Sequence, residues 1–255
     1  MYYHEYAPHP LLSTVVECYW SFTSDVIQRR TVFPDSCADI IFNFGDPMVV
    51  SANGVASRSK GIAFVVGMMT HSIFTTGSGR QDLFGIRFKA GGLSAVVRNP
   101  LHEFTDHSLS IDDCAHCMPA QLTEKMRETD VKIRVTLVDH WLISSITLAP
   151  EKNSWRWAVN RILSAHGDIR IKALAQESAM SEKQLERKFL QHVGVTPKTL
   201  SSIARFCEAK RRLERSNLPL EGLAWDLGYT DHAHFTKSFK LFAGLSPSEF
   251  VQKEY

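Results

Sequence analysis

The last hundred residues repeat themselves, and that repeat limits the folds open to the chain more than any other feature. One copy reads Leu174-Ala175, Ala179-Met180-Ser181, Leu185, Phe189, Gly194 and Thr196-Pro197. The other reads Leu223-Ala224, Gly228-Tyr229-Thr230, Phe235, Phe239, Gly244 and Ser246-Pro247. The offset is 49 residues up to the turn and 50 beyond it, so the second copy carries one extra residue at its turn. Each position has a physical reason. A small alanine in the first helix lets the second cross close to it. A glycine at the turn takes positive φ without a steric penalty. Leu185 with Phe189, and Phe235 with Phe239, stand four apart and share one helix face, which predicts that they point inward. Gly194 and Gly244 end the second helix of each copy, and the following prolines stop it from continuing. The pattern predicts two helix-turn-helix units.

Between the copies, residues 199–216 place Ile203, Phe206, Cys207, Lys210, Leu213 and Glu214 at steps of three and four, which predicts one connecting helix. It carries Arg205, Lys210, Arg211, Arg212 and Arg215. A rigid connector of this kind would let two recognition helices enter successive major grooves, about 34 Å apart on one face of DNA. Charge agrees in direction. The chain carries +2 overall, but residues 153–255 hold 16 Lys+Arg against 11 Asp+Glu, a surplus of +5. The basic part is where a polyanion would be attracted.

Residues 154–255 resemble the DNA-binding domain of the AraC/XylS regulators. The resemblance is densest from Leu223-Ala224-Trp225-Asp226-Leu227-Gly228-Tyr229 through Phe239-Lys240, followed by Gly244-Leu245-Ser246-Pro247. Two positions depart from the family pattern. Ala179 stands where the first turn usually has glycine, and Lys237 stands where arginine is common, losing the planar fork that grips guanine. The resemblance implies base contacts at Lys183, Glu186 and Arg187 in the first unit. In the second it implies contacts at His232, Ala233, Thr236 and Lys237, with His234 nearby. Arg187 is the residue expected to meet guanine. Helix N-termini near Ser181 and Thr230 would donate backbone N–H groups to phosphates.

The first half reads differently. Residues 15–22, 40–44, 62–66 and 83–88 are rich in β-branched and aromatic residues, and turn signals such as Phe33-Pro34-Asp35, Gly45-Asp46-Pro47 and Gly77-Ser78-Gly79 bound them. The spacing predicts a small sandwich or barrel. Beyond residue 110 the period becomes helical, predicting helices over 119–128 and 131–147, and a further one over 154–166 that ends at His166-Gly167. The fold class expected is α+β. A β-rich domain with trailing helices would occupy 1–148, a linker 149–153, and an all-α domain of two helix-turn-helix units joined by a long helix 154–255.

Residues 33–43, 84–93 and 100–106 resemble an uncharacterised β-rich domain found ahead of AraC-type DNA-binding domains, with Lys89-Ala90-Gly91-Gly92 departing from its Pro-Gly-Gly form. That resemblance implies a sensor or dimerisation domain, often cupin-like, and barrel mouths are common ligand sites. The effector residues expected are Trp20, Asp39, Met68, Phe74 and Arg87, within a wider aromatic and Met set of Phe33, Phe42, Met69, Phe84 and Phe88. Arg87 in an apolar strand needs a carboxylate such as Asp39, or an anionic ligand.

Five cysteines with no export signal at the start, Met1-Tyr2-Tyr3-His4-Glu5-Tyr6, predict reduced thiols in the cytoplasm. Cys114-Ala115-His116-Cys117 lacks the second ligand pair of a structural zinc site, and His102 and His107 lack the ligands of a cupin metal centre. No Gly-x-Ser-x-Gly, His-Glu-x-x-His or P-loop pattern is present. The chain therefore reads as a non-enzyme without cofactor or metal; the competing reading is an enzyme or metal-dependent sensor fused to a DNA-binding module. The expected partners are double-stranded DNA and a small-molecule effector. RNA polymerase, and a second copy of the chain met through 119–147, are the protein partners open to it; no membrane is expected, because no run of about 18 apolar residues occurs.

Overall fold

The computed structural model describes residues 1–52, 55–58, 62–114, 120–146, 154–215 and 220–254. The expected linker at 149–153 lies outside them, as does Cys117. Among the described residues ten strands come first: β1 (Tyr2–Tyr6), β2 (Val16–Ser24), β3 (Arg29–Val32), β4 (Ala38–Asn43), β5 (Met48–Ala52), β6 (Val55–Arg58), β7 (Ala63–Val66), β8 (Ile73–Gly77), β9 (Gln81–Phe88) and β10 (Ser108–Ser110). They form two antiparallel sheets, one in the order β1-β2-β9-β4-β7-β10 and the other β3-β8-β5-β6. No ladder joins the two sheets among the described residues, so the sandwich alternative holds and the cupin-like closed barrel does not.

The period-2 alternation of β2, β4 and β9 sends side chains to two different destinations. Tyr19, Ile40, Phe42, Phe84, Ile86 and Phe88 point away from the second sheet into an apolar core. That core is closed by α1 (Ala120–Arg127) and α2 (Val131–Ser145), which contribute Leu122, Met126, Val138 and Leu142. Arg134 of α2 reaches back to Asp82 at 3.0 Å, and the Tyr19 hydroxyl donates to Asp139 at 2.7 Å. These bonds pin the helix layer to the sheet.

The remaining helices form a second core. They are α3 (Ser154–Ser164), α4 (Ile171–Glu177), α5 (Glu182–His192), α6 (Pro197–Arg215), α7 (Leu220–Asp226), α8 (His232–Ala243) and α9 (Pro247–Glu254). The four repeat positions expected to face inward, Leu185, Phe189, Phe235 and Phe239, are all buried there around α6. Phe206 of α6 lies against Phe239 and Phe242 at ring distances of 5.1 and 5.4 Å. The two cores touch. Phe33, at the end of β3, sits 5.7 Å edge-on from Phe250 and 6.5 Å from Phe206, and Cys207 Sγ donates to the Pro34 carbonyl at 3.5 Å.

Candidate DNA interface and effector cavity

In the first unit α4 is followed by a tight turn and α5. Ser181 caps α5 with its side-chain oxygen on the Gln184 N–H, and Gln184 Oε1 accepts from the Ser181 N–H at 2.9 Å, a reciprocal capping box. Ala179 takes φ 53°, the left-handed conformation that Gly228 takes at φ 71° in the second unit. The turn is therefore kept without glycine, at a backbone cost. Lys183, Glu186 and Arg187 are exposed on α5, opposite buried Leu185 and Phe189.

In the second unit the capping residue is Asp231, next to Thr230: its carboxylate accepts from the His234 N–H at 2.7 Å. Thr230 instead bonds Asp231 and the His234 ring. The backbone bond to His234 holds the Asp231 carboxyl below its ordinary value. His232, Ala233, His234 and Lys237 are exposed on α8. Thr236 is half-buried, and its hydroxyl is turned inward without a partner. The exposed sets of α5 and α8 thus occupy equivalent positions in two like units.

The basic run of α6 is largely engaged within the chain. Arg211 Nε and Nη2 donate to the buried Glu208 carboxylate at 2.7 and 2.6 Å, and Arg212 Nε donates at 2.7 Å. The Arg211 hydrogen bonds, joined by Arg212, bring the Glu208 carboxyl down to about 2. Arg212 also reaches Asp226 of α7 at 3.3 Å, and Arg205 donates to the Gly167 carbonyl at 2.9 Å. Lys210 pairs with Glu214. These cations brace the connector. Glu208 escaped sequence reasoning because a carboxylate in a basic helix looks like an ordinary solvent-facing i,i+4 partner.

Between the two sheets lies a cavity of about 490 Å³, inside the range usual for small-molecule sites. Its walls are mostly apolar, including Phe22, Ile41, Met48, Phe64, Ile73 and Leu83. Its polar corner is set by strand register: Cys18, Arg87 and Asp39 stand in one row across β2, β9 and β4, and Trp20, Gly85 and Ile41 in the next. Gly85 is required here. A Cβ on it would lie 2.0 Å from the Trp20 ring, so the indole can cross the strand only because no side chain stands there. Trp20 Nε1 then donates to Asp39 at 2.8 Å. Arg87 approaches Asp39 at 3.4 Å and Asp35 at 3.5 Å, its charge balanced by two carboxylates. Burial, opposed by Arg87, lifts the Asp39 carboxyl to about 6. Arg30 also lines the cavity, 3.6 Å from the centre of the Phe22 ring; it has no ion-pair partner among the described residues, and burial pulls its guanidinium below the ordinary value.

Of the expected effector residues, the structure brings Trp20, Asp39 and Arg87 together. Met69 joins the lining, but two others are elsewhere. Phe74 is not in the cavity wall: β8 alternates, so Ile73 and Thr75 face the cavity while Phe74 carries the Arg29 guanidinium 3.8 Å over its ring. Met68 is buried among the C-terminal helices, an anchor between domains rather than a pocket wall. Phe42, Phe84 and Phe88 lie on the opposite face of their sheet, and Phe33 sits against the helices. A second, wider cleft of about 1320 Å³ between the domains is lined by Arg156, Trp157 and Cys207, and shares Asp35 and Arg87 with the first. Burial holds the Cys18 thiol at about 11 and the Cys207 thiol at about 12, and lifts Cys37 well above its usual range. Cys114 is buried and donates to the Ser110 carbonyl. Among the described residues no three His, Cys, Asp or Glu side chains cluster as a metal site, and no helix is long and apolar enough to cross a membrane.

Comparison with known proteins follows the same division. Residues 4–110 match a domain of unknown function (DUF6597), and residues 174–253 match a helix-turn-helix domain. An uncharacterized HTH-type transcriptional regulator of Haemophilus influenzae is 35% identical over 83 residues, 32% of this chain and 28% of that protein. The arabinose operon regulatory protein of Escherichia coli is 29% identical over 86 residues, 34% of this chain and 30% of that one. The transcriptional activator RhaS of Escherichia fergusonii is 32% identical over 80 residues, 31% and 29% of the two chains. The chain thus spans less than a third of the length of these relatives. ToxT from Vibrio cholerae shares the fold at TM-score 0.52 and 10% identity, covering 92% of this chain and 97% of that one. The paired units and their left-handed turns thus coincide with the helix-turn-helix match over residues 174–253, behind a β-rich first domain that matches a domain of unknown function.

Proposed function

We propose that this protein is a sequence-specific DNA-binding transcription regulator, an activator acting in the cytoplasm, whose β-rich domain responds to a small apolar molecule held between its sheets. The observation that carries the reading is the pair of exposed helices, α5 and α8, set in like units on the braced connector α6. Lys183, Glu186 and Arg187 would read one major groove, and His232, Ala233, His234 and Lys237 the next, with Thr236 swinging outward to join them. Ser181 and Thr230 would sit nearest the phosphates. RNA polymerase and a second copy of the chain are the protein partners open to such a regulator.

The cavity supports the sensing half. Arg87 is already balanced, so the charge left for a ligand is that of Arg30, which favours an apolar molecule bearing one acidic group. A ToxT structure of TM-score 0.52 is described as bound to (E)-4-(8-methylnaphthalen-1-yl)but-3-enoic acid, a ligand of that kind. Burial raises the Cys18 and Cys37 thiols, which keeps them protonated and weakens them as nucleophiles for an enzyme reading.

The test is genomic DNA capture with purified protein at fixed salt, because phosphate contacts make affinity strongly salt-dependent. Arg187→Ala and Lys237→Ala are run beside it. Discrete sites with two conserved blocks about one helical turn apart are expected, each variant weakening one block by roughly 1–3 kcal/mol. Diffuse capture with no shared blocks would refute the reading.

A further inference from the structure

Two loops of the β-rich domain meet the C-terminal ends of both recognition helices. Thr105 Oγ1 donates to the carbonyl of Gly194, the residue that ends α5, at 2.7 Å. A Cβ on Gly194 would stand 3.0 Å from the Leu101 carbonyl oxygen, so this end of α5 is seated closely on residues 101–105. At the other unit, a Cβ on Gly244, the cap of α8, would stand 3.2 Å from Ser72 Oγ, and Met68 of the same loop is buried in the helical core. Residues 67–72 therefore stand against the end of α8, on the side that residues 101–105 take at the end of α5.

Asp106 ties these loops to each other. Its carboxylate accepts from the Thr70 N–H and from Thr70 Oγ1, both at 2.6 Å, and lies 3.2 Å from His71 Nδ1. Its own N–H donates to the Met68 carbonyl at 3.1 Å. It holds φ 60°, a left-handed conformation that a residue other than glycine keeps when its surroundings enforce it. Asp106 also lines the cavity between the sheets, with Met69 and His107 as neighbours in that wall.

We infer that Asp106 is a positioning residue that locks the two loops into one clamp on both recognition helices, and that cavity occupancy reaches the DNA-binding half through it. The second clause rests on the sensing role proposed above; the first does not. A molecule pressing on the Asp106 end of the cavity moves both seats together. It thereby changes the relative placement of α5 and α8, which is the quantity a two-groove reader depends on.

Hydrogen exchange on the full chain without ligand tests the clamp. In Asp106→Ala, exchange at Val193–Gly194 and at Ala243–Gly244 should rise together, at least about tenfold. Thr105→Val, which removes one seat, should raise only the first. Asp106→Asn keeps an acceptor for the Thr70 N–H and suits positive φ, so it should stay near wild type. Unchanged protection at either cap in Asp106→Ala overturns the inference. The relay is tested with 8-anilinonaphthalene-1-sulfonate at saturation, on DNA selected by the wild-type protein. The probe should change wild-type DNA affinity at least about fivefold, and DNA should change probe affinity by the same factor. In Asp106→Ala the factor should fall below about two. A bound probe with no effect on wild-type DNA affinity, or a factor unchanged in the variant, overturns the relay. A probe that does not bind counts against the sensing cavity and leaves the exchange result to decide the clamp.

Discussion

Glu208 offers a quantitative test of how the two DNA-binding units are held together. Its carboxylate is buried in α6 and accepts three guanidinium hydrogen bonds, two from Arg211 and one from Arg212. Lowering its carboxyl from 4.5 to about 2 corresponds to about 3 kcal/mol favouring the ionised, folded state. The sign follows from the direction. A carboxyl depressed on folding contributes its stability fully above the unfolded value, and loses it as pH falls from about 4.5 toward 2. Glu208→Gln keeps the shape but removes the charge. Urea unfolding at constant ionic strength should place the variant about 3 kcal/mol below wild type at pH 7, with the gap closing to under about 1 kcal/mol near pH 2. Because Arg212 also reaches Asp226, the variant should tolerate altered spacing between the two DNA blocks better than wild type. A gap of the same size at pH 7 and pH 2.5 would refute the reasoning, and so would a gap under about 1 kcal/mol at pH 7.

Asp39 should behave in the opposite sense. Its carboxyl is raised by burial, so its contribution is present below pH 4 and lost as pH rises through about 6; Asp39→Asn should remove that slope in urea unfolding between pH 4 and 7. Gly85→Ala puts a methyl group 2.0 Å from the Trp20 ring, and should cost roughly 1–3 kcal/mol while changing the near-ultraviolet circular dichroism of the displaced indole. Ala179→Gly relieves the left-handed φ of 53° at the first turn, and should stabilise by up to about 1 kcal/mol after the entropy cost of glycine, read as a rise in Tm.

Which strands the sequence revealed follows from what they bury. Residues 15–22, 40–44, 62–66 and 83–88 announce themselves as strands, and they became β2, β4, β7 and β9, all in the sheet whose far face meets the helix layer. The strands of the second sheet, β3, β5, β6 and β8, gave no such signal. The inner faces of β3, β5 and β8 line a cavity instead of a packed core, so segments such as Arg29-Arg30-Thr31-Val32 and Ile73-Phe74-Thr75-Thr76-Gly77 carry no apolar run. The helical half was more legible, because its repeat fixes turns and inward residues at once, and Leu185, Phe189, Phe235 and Phe239 are where the spacing puts them. The cavity was half legible for a related reason. Arg87 in an apolar strand called for a carboxylate, and Asp39 answers it across one register step. Which face of a neighbouring strand Phe84 or Phe74 takes depends on pairing, which composition does not encode.

Met68 and Asp106 show where sequence reasoning stops and what the docked domains add. An apolar residue in a loop suits any core, and Met68 went to the helical one, leaving its neighbour Met69 in the cavity wall. That division puts the cavity and the recognition helices on two sides of one short loop. The seats formed by residues 67–72 and 101–105 lie at the C-terminal ends of α5 and α8, whereas Lys183, Glu186, Arg187 and Lys237 stand exposed farther back along those helices. At these seats the β-rich domain grips the two units without covering the side chains that would meet DNA. Control exerted there acts on the distance and angle between α5 and α8. A duplex fixes the spacing of its successive grooves at about 34 Å, so a small change in that distance is enough to favour or disfavour engagement of both units at once.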